Sequence, residues 1–178
     1  CEKSPFEAVQ TNILGIQNVI IAAIHNKVEI VVFTSSDKAV NPSSVMGTAK
    51  LMGERLITAA NNAHNNTNIV FSSCRFGNVL GSRGSVIPIF KQQISDGGPV
   101  TITDNRMTRF IMSIEESVRL VIESVSLAKG GEVFITKMPV INIVDLAEVM
   151  IDYLATKKGF DPNRVEVKYI GAKSGEKL

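Results

Sequence analysis

The chain has 178 residues, of which 44% are hydrophobic and 20% charged, and its formal net charge is +2. This length can bury one sizeable core, or one core and a smaller lobe, and the even spread of lysine and arginine argues against a nucleic-acid partner. No apolar run approaches the ~18 residues of a membrane span, and the few cysteines and histidines form neither a disulfide framework nor a metal site, so we expect no membrane contact, no metal and a reducing compartment.

The first part of the chain predicts helices and strands in alternation. A capping box with proline at the first helical position begins at Ser4, and apolar residues at helical spacing continue to about His25. The run VEIVVFT, residues 28–34, is apolar on both faces, which is typical of a parallel strand covered by helices on each side. A second helix is predicted over about 44–63 and a second strand over 68–76.

The rest of the chain begins with a glycine-rich turn and continues with shorter elements. The turn GNVLGSRGS, residues 77–85, precedes a predicted helix that ends at DGGP, residues 96–99. The remaining predicted elements are strands at about 100–103, 110–112, 132–136 and 165–170, and helices at about 113–128 and 144–157. This order predicts an α/β fold with a parallel sheet, followed by a smaller mixed lobe.

Polar side chains follow the first two predicted strands directly. VVFT continues into SSDK, residues 35–38, and SSCRF continues into a loop that carries Asn78. Ligands of open α/β sheets bind outside the carboxyl ends of the strands, so we expect both loops to face one crevice. Met46 and Lys50 are four residues apart and share one face of the next helix, which would point Lys50 at Ser36.

Three longer segments carry a specific resemblance to a known family. They read SSDKAVNPSSVMGTAK, RFGNVLGSRGSVIPIF and TITDNRMTRFIMSIEE, and GGEVFITKMP and the terminal SGEKL accompany them. The chain resembles the extended short-chain dehydrogenases with Met in place of Tyr in the Tyr-x-x-x-Lys motif. In detail it looks like the UDP-N-acetylglucosamine 4,6-dehydratases of capsule, flagellin-glycan and surface-polysaccharide biosynthesis. The similarity covers essentially the whole chain.

The resemblance also implies a domain organisation. Residues 1–80 would be a partial NAD(P)-binding, Rossmann-like region without its first βαβ units, and residues 81–178 mainly a substrate lobe, with some elements returning to the Rossmann-like region. The glycine-rich dinucleotide fingerprint is absent, because GNVLGSRGS has the spacing GxxxGxxG. We interpret the chain as an N-terminally truncated member rather than a natural remnant, and expect this segment alone to be inactive. The family implies a cytoplasmic homo-oligomer that acts on a UDP-sugar.

The chemistry that the resemblance implies assigns roles to the polar loop. Hydride leaves C4 of the sugar for NADP or NAD, water is lost across C5 and C6, and the hydride returns to C6. By analogy Asp37 is the acid and Lys38 the base of the elimination, and Lys50 binds the nicotinamide ribose. Ser35 is a further cofactor contact, and Ser36 would bind the C4 oxygen and relay its proton through water.

Met46 stands where the family usually has the proton-exchanging tyrosine. A thioether cannot exchange a proton. One subgroup that this sequence resembles carries Met at this position and is active, so the resemblance implies that Met46 marks that subgroup. The alternative is that Met46 only packs in the core, where methionine is common.

The resemblance also implies a set of substrate contacts in the second half of the chain. A helix that opens at about Ser85 offers free N–H groups to an anion, so this turn is predicted to hold the nucleotide diphosphate, although a plain connecting turn has the same spacing. Arg106 and Asn12 are weaker candidates, for phosphate binding and for support of the active-site backbone. The predicted substrate-binding residues are Asn78, Arg83, Ser85, Val86 and Arg109.

Two other functions stay open from the sequence. A nucleotide-sugar epimerase would share the cofactor and most of the fold but generally lacks the Asp-Lys elimination pair. A non-catalytic nucleotide-sugar binding module would explain the missing fingerprint and the missing tyrosine. A 4-keto-6-deoxy product would indicate the dehydratase, whereas binding without conversion would indicate the module.

Overall fold

The predicted alternation of strands and helices is confirmed by a computed structural model, which describes residues 1–63, 68–82, 84–159, 161–172 and 174–177. The helices are α1 (Pro5–Val9), α2 (Gly15–His25), α3 (Val45–Ala63), α4 (Val86–Ser95), α5 (Ile114–Leu127) and α6 (Ile143–Lys157), with a π-helix at Gln10–Leu14 and 3₁₀-helices at Asp37–Ala39 and Pro162–Arg164. The strands are β1 (Ile30–Ser36), β2 (Val70–Phe76), β3 (Asn78–Val79), β4 (Val100–Ile102), β5 (Thr108–Met112), β6 (Val133–Ile135), β7 (Val140–Asn142) and β8 (Val167–Tyr169).

The chain forms two compact units, and each is assembled from two separate stretches of sequence. The first unit comprises Cys1–Phe76 and Ile114–Lys137, and the second comprises Gly77–Ser113 and Met138–Leu178. Helix α5 and strand β6 therefore return to the first unit after the chain has built part of the second.

The first unit is built on a parallel sheet with the strand order β1-β2-β6. Ile30 lies opposite Val70 and the register continues without interruption to Ser36 opposite Phe76. Helix α3 packs against this sheet. The core of the first unit contains apolar side chains from α2, α3 and β2. The buried core residues are Ile20, Ala23, Ile57, Ala60, Ile69 and Phe71. The continuous apolar character of VEIVVFT thus reflects a strand in a parallel sheet, as predicted.

The second unit contains a mixed sheet and a separate strand pair. Strand β5 pairs with β3 in parallel and with β7 antiparallel, while β4 and β8 form a parallel pair. Helices α4 and α6 pack on each other over the largest core cluster, which includes Phe90, Ile94, Met107, Ala147 and Ile151. Strand β7 was not predicted, because its three residues are too few for an alternating pattern to show.

The N-terminal helical stretch corrects two expectations. Ser4 lies at the N-cap of α1, but its side chain makes no capping hydrogen bond, so the predicted capping box is wrong. By length and composition alone, Pro5–His25 could also cross a membrane. Its most apolar 18 residues have a mean hydropathy of 1.2, and 17% of them are buried. Polar residues divide this stretch, so the sequence shows no uninterrupted apolar run there. Ile20 and Ala23 pack in the core of the first unit, and core helices pass the same test.

Gly53 provides a test of how α3 packs against α2 and β1 within the first unit. A Cβ at this position would lie 2.7 Å from Ile16 Cδ1 and 2.7 Å from Phe33 Cζ. We expect Gly53→Ala to lower the free energy of unfolding by about 1–3 kcal/mol, because the added methyl group would displace the ends of the Ile16 and Phe33 side chains that pack against α3. Urea unfolding followed by circular dichroism measures this change.

Gly15→Ala is the matched control for this prediction. A Cβ at Gly15 would lie 3.6 Å from the Gln10 carbonyl oxygen, an ordinary contact, and the residue is helical. Alanine there should raise the free energy of unfolding by about 0.5–1 kcal/mol through the lower backbone entropy of the unfolded chain. Equal effects of the two substitutions would contradict the described packing.

Candidate functional site

The carboxyl end of β1 brings three of the predicted catalytic residues together. The strand ends at Ser36, and the 3₁₀-helix that begins with Asp37 turns the chain sharply. The Ser36 hydroxyl accepts a hydrogen bond from the Lys38 backbone N–H at 3.3 Å and donates one to Asp37 Oδ1 at 2.8 Å. Lys38 Nζ donates to the same Oδ1 at 3.1 Å.

This turn determines what the Asp37–Lys38 pair can do chemically. The Asp37 side chain is 19% exposed and that of Lys38 is 48% exposed, so the pair lies at the surface of the strand end with the carboxylate the more covered member. The hydrogen bond from Nζ to Oδ1 places an amine and a carboxyl group in direct contact at the strand end.

Helix α3 presents Lys50 to the same strand. Lys50 Nζ donates to the Thr34 carbonyl oxygen at 3.0 Å and lies 4.9 Å from the centroid of the Phe33 ring. Burial lowers the pKa of the Lys50 amine below its ordinary value of 10.5. Met46, one helical turn earlier on the same face, is half-buried. Gly47 lies so close to the Lys38 carbonyl that a Cβ there would collide with it.

A buried cluster behind Lys50 was not predicted from the sequence. Glu54 is 3% exposed, and its carboxylate accepts hydrogen bonds from Ser35 Oγ at 2.5 Å, Arg75 Nε at 2.8 Å and Arg75 Nη2 at 2.7 Å. Burial raises the pKa of Glu54, but the hydrogen bonds from Arg75 and Ser35 and the charge of Arg75 together hold this pKa below its usual value. The hydroxyl of Ser35, a predicted cofactor contact, is therefore engaged by Glu54.

The second unit contains the predicted substrate-binding residues. Asn78 lies in β3, opposite Ile111 of β5. Ser85 is the N-cap of α4 and makes no capping hydrogen bond, and its Oγ is buried without a hydrogen-bond partner. Val86 is the first residue of α4. Arg83 lies outside the described residues.

Two arginines of the second unit form ion pairs. The Arg109 guanidinium donates to the Thr108 carbonyl and, at 3.2 Å, to Glu176 Oε1, and its side chain is only 18% exposed. Arg106 is bound to Asp104, and hydrogen bonds from Arg106 lower the pKa of Asp104 to about 2. Arg109 thus has the more covered position of the two.

Comparison with known proteins places these features in a family. A parallel sheet covered by helices, with polar residues at its strand ends, defines a Rossmann-like α/β fold. The profile of the family described as "Polysaccharide biosynthesis protein" matches residues 1–178, so the chain belongs to that family.

Curated relatives match the whole chain under several names. An "Uncharacterized membrane protein MJ1061" of Methanocaldococcus jannaschii is 54% identical over 100% of the chain and 54% of its own length. A "UDP-N-acetylglucosamine 4,6-dehydratase (inverting)" of Campylobacter jejuni is 43% identical over 99% of the chain and 50% of its own length. A "UDP-glucose 4-epimerase" of Rickettsia canadensis is 42% identical with the same coverage, 99% and 50%. The chain therefore spans about half the length of these relatives.

Solved structures show the same fold. The crystal structure of Pen from Bacillus thuringiensis superposes with a TM-score of 0.94 at 51% identity, over 99% of this chain and 54% of that one. DesIV, a dTDP-glucose 4,6-dehydratase from Streptomyces venezuelae solved with NAD and TYD bound, superposes with a TM-score of 0.81 at 19% identity, over 99% and 59%. At 19% identity the second likeness concerns the fold alone.

The burial of Lys50 has a testable consequence for stability. Because its pKa is lowered from 10.5 in the folded protein, the unfolded chain holds this proton at pH values where the folded protein has released it. Stability should therefore rise with pH between the lowered pKa and that of the unfolded lysine. Urea unfolding at a series of pH values should show this rise for the native chain and not for Lys50→Met.

Lys50→Arg is the control for this experiment. Arginine keeps its charge over the whole alkaline range, so this variant should also lack the rise while retaining a cation at the site. An identical pH dependence in all three proteins would show that Lys50 does not carry the effect.

Proposed function

We propose that this chain is the part of a nucleotide-sugar dehydratase that removes water from UDP-N-acetylglucosamine, by 4,6-dehydration through a 4-keto intermediate, for surface polysaccharide or glycan synthesis. The observation that carries the proposal is the hydrogen-bonded set Ser36–Asp37–Lys38 at the end of β1. An elimination needs an acid and a base side by side, and this set supplies both. The family match and the relative from Campylobacter jejuni named as such a dehydratase support the assignment.

NAD or NADP is the cofactor of the proposed reaction, and it would accept the hydride from C4 and return it to C6. The Lys50 amine fits this group, because it is half-buried at the strand end where the dinucleotides of such sheets bind, and it is a donor for ribose hydroxyls. The Ser35 hydroxyl fits less well, since Glu54 already holds it. The Rossmann-like fold of this unit is of the class that binds dinucleotides at the ends of its strands.

The Asp37–Lys38 pair performs the elimination in the proposed mechanism. A proton moves from Lys38 Nζ to Asp37 Oδ1 along their hydrogen bond, which leaves an amine and a carboxylic acid. Once C4 is a ketone, the proton on C5 is acidic, and the amine removes it. The carboxylic acid protonates the departing 6-hydroxyl, which leaves as water. The amine is then an ammonium and the acid a carboxylate, so the starting ion pair is restored.

Ser36 handles the C4 hydroxyl proton in this proposal. Its Oγ donates to Asp37 and accepts from the Lys38 backbone, so it is held in place at the strand end. Met46 on α3 offers no exchangeable proton, and a water bound by Ser36 takes the role that tyrosine has in the general family. The positive charge of Lys50 favours release of this proton.

The second unit supplies the diphosphate site in this proposal. The first backbone N–H groups of α4, beginning at Val86, and the unpartnered Ser85 hydroxyl are available to an anion. Asn78, Arg83 and Arg109 complete the predicted set. Arg109 would exchange its contact with Glu176 for a phosphate oxygen.

The oligomeric state and location stay proposals of the same kind. A homo-oligomer is supported by the apolar outward side of α5, where Ile114, Val118 and Ile122 are 60%, 51% and 61% exposed. A cytoplasmic location follows from the proposed use of UDP-sugars, while the Pro5–His25 stretch keeps a membrane contact open.

Conversion of UDP-N-acetylglucosamine by the full-length gene product tests the proposed function. We expect a 4-keto-6-deoxy product that has lost one water, detected by mass spectrometry and NMR. Asp37→Asn and Lys38→Met should each slow the elimination by ~10²-fold or more, because each removes one proton-transfer group. Both variants should still reduce the bound cofactor, which is seen as absorbance of its reduced form.

An epimerase is the second candidate, because a relative named UDP-glucose 4-epimerase matches at 42% identity, about as well as the dehydratase does at 43%. A product of unchanged mass with inverted C4 or C5 would establish it and overturn the dehydratase. Tight UDP-sugar binding without any conversion would favour the binding module instead.

Ser36→Ala tests the proposed relay. Loss of the hydroxyl should abolish oxidation at C4, measured as the rate of cofactor reduction in a single turnover, because no other group of the turn reaches that proton in the proposal. Ser43→Ala, a serine seven residues further along the chain, is the control and should leave this rate unchanged. Near-normal turnover of Ser36→Ala would discard the relay.

A further inference from the structure

We propose that Glu54, held by Arg75, is a positioning residue that fixes Lys50 at the carboxyl end of β1. The inference uses the function proposed above only for the role of Lys50, and its geometry stands on contacts within the first unit. Glu54 follows Lys50 by one helical turn on the same face of α3, so the two side chains reach the sheet side by side.

The Glu54 carboxylate connects α3 to two strands at one level of the sheet. Ser35 of β1 and Arg75 of β2 are direct partners in the strand register, and both donate to this carboxylate. Arg75 does so through two N–H groups, one to each oxygen. Such a fork fixes both the distance and the orientation of the two groups, because guanidinium and carboxylate are planar.

The position of the Glu54 carboxylate determines that of Lys50 through a rigid helix and a shared strand. Thr34, whose carbonyl accepts the Lys50 amine, is the immediate neighbour of Ser35, which donates to Glu54. Successive turns of α3 are thus held by successive residues of β1. A change in the length or charge of the Glu54 side chain moves α3 and therefore changes the position of the Lys50 amine.

A purely structural role explains the charges less well. Replacing a buried ion pair by apolar residues of similar volume is often neutral or stabilising, so stability alone gives no reason for a carboxylate here. Directional hydrogen bonds specify register, whereas apolar packing permits small shifts. The position of the pair, one turn from Lys50 and facing the strand that carries Ser36, is where register affects the site.

The test measures the position of Lys50 directly, in the full-length protein labelled with ¹³C-lysine. The Lys50 ammonium lies over the Phe33 ring, so its ε-CH₂ signal should be shifted upfield by the ring current, and Lys50→Arg assigns the signal. We expect Glu54→Asp and Glu54→Gln to abolish this upfield shift, and Arg75→Lys, which keeps the charge without the fork, to reduce it. In turnover, kcat should fall by ~10²-fold in the Glu54 variants without a matching rise in KM.

Glu132→Gln is the matched control, because Glu132 is a carboxylate of the same unit that accepts backbone N–H groups of Lys129 and Gly130. It should lower the melting temperature and leave the Lys50 signal in place. Glu54 variants that lose stability but keep the Lys50 signal would overturn the inference. If Glu54→Gln does not fold, Glu54→Asp and Arg75→Lys decide the question. The NMR signal needs no turnover, so a failure of the proposed function leaves this test intact.

Discussion

The carboxylate of Glu54 is almost fully removed from solvent, and a buried charge is tolerated only where it is paired and hydrogen-bonded. This requirement binds α3 to β1 and β2 at once, because the partners of the carboxylate come from both strands. The consequence extends along the helix in the N-terminal direction. On the same face of α3, Lys50 binds the Thr34 carbonyl and Gly47 lies against the Lys38 carbonyl.

The hydrogen-bonded set Ser36–Asp37–Lys38 at the end of β1 arises from a change of backbone conformation over very few residues. Ser36 is still extended, and the next residue already belongs to a 3₁₀-helix. In a continued strand, adjacent side chains would point to opposite faces of the sheet. The tight turn instead brings the Asp37 and Lys38 side chains together, and the Ser36 hydroxyl serves both as cap of the turn and as donor to the carboxylate. One local change of geometry thus produces the Asp37–Lys38 ion pair.

Periodicity was sufficient to predict most helices and strands, because apolar side chains must face a core at a period that the backbone sets. VEIVVFT and the long helix before Ala63 are found where their patterns indicated. Contacts that depend on hydrogen-bond geometry were not predictable in this way. The failure of Ser4 to cap α1, the π-helix around Asn12 and the three-residue strand β7 leave no periodic signal. Glu54 and Arg75 are 21 positions apart in the sequence. The one sequence signal for this pair is that Glu54 follows Lys50 by one helical turn. The roles assigned to individual site residues rest on family resemblance, because neither periodicity nor spacing carries that information.

The division of the first unit into two stretches of sequence has a consequence for how the protein is made. On the ribosome, β1, α3 and β2 emerge and can pair before the second unit exists, but the other edge of β2 has to await β6. At translation rates of about 5–20 residues per second, that edge stays open for several seconds, and open strand edges are templates for association between nascent chains. In β2, the side-chain hydroxyls of Ser72 and Ser73 have no hydrogen-bond partner, and both side chains are small and polar. Polar side chains that water can solvate before β6 is made favour unwanted association less than Ile30, Val31 and Val32 of β1 would.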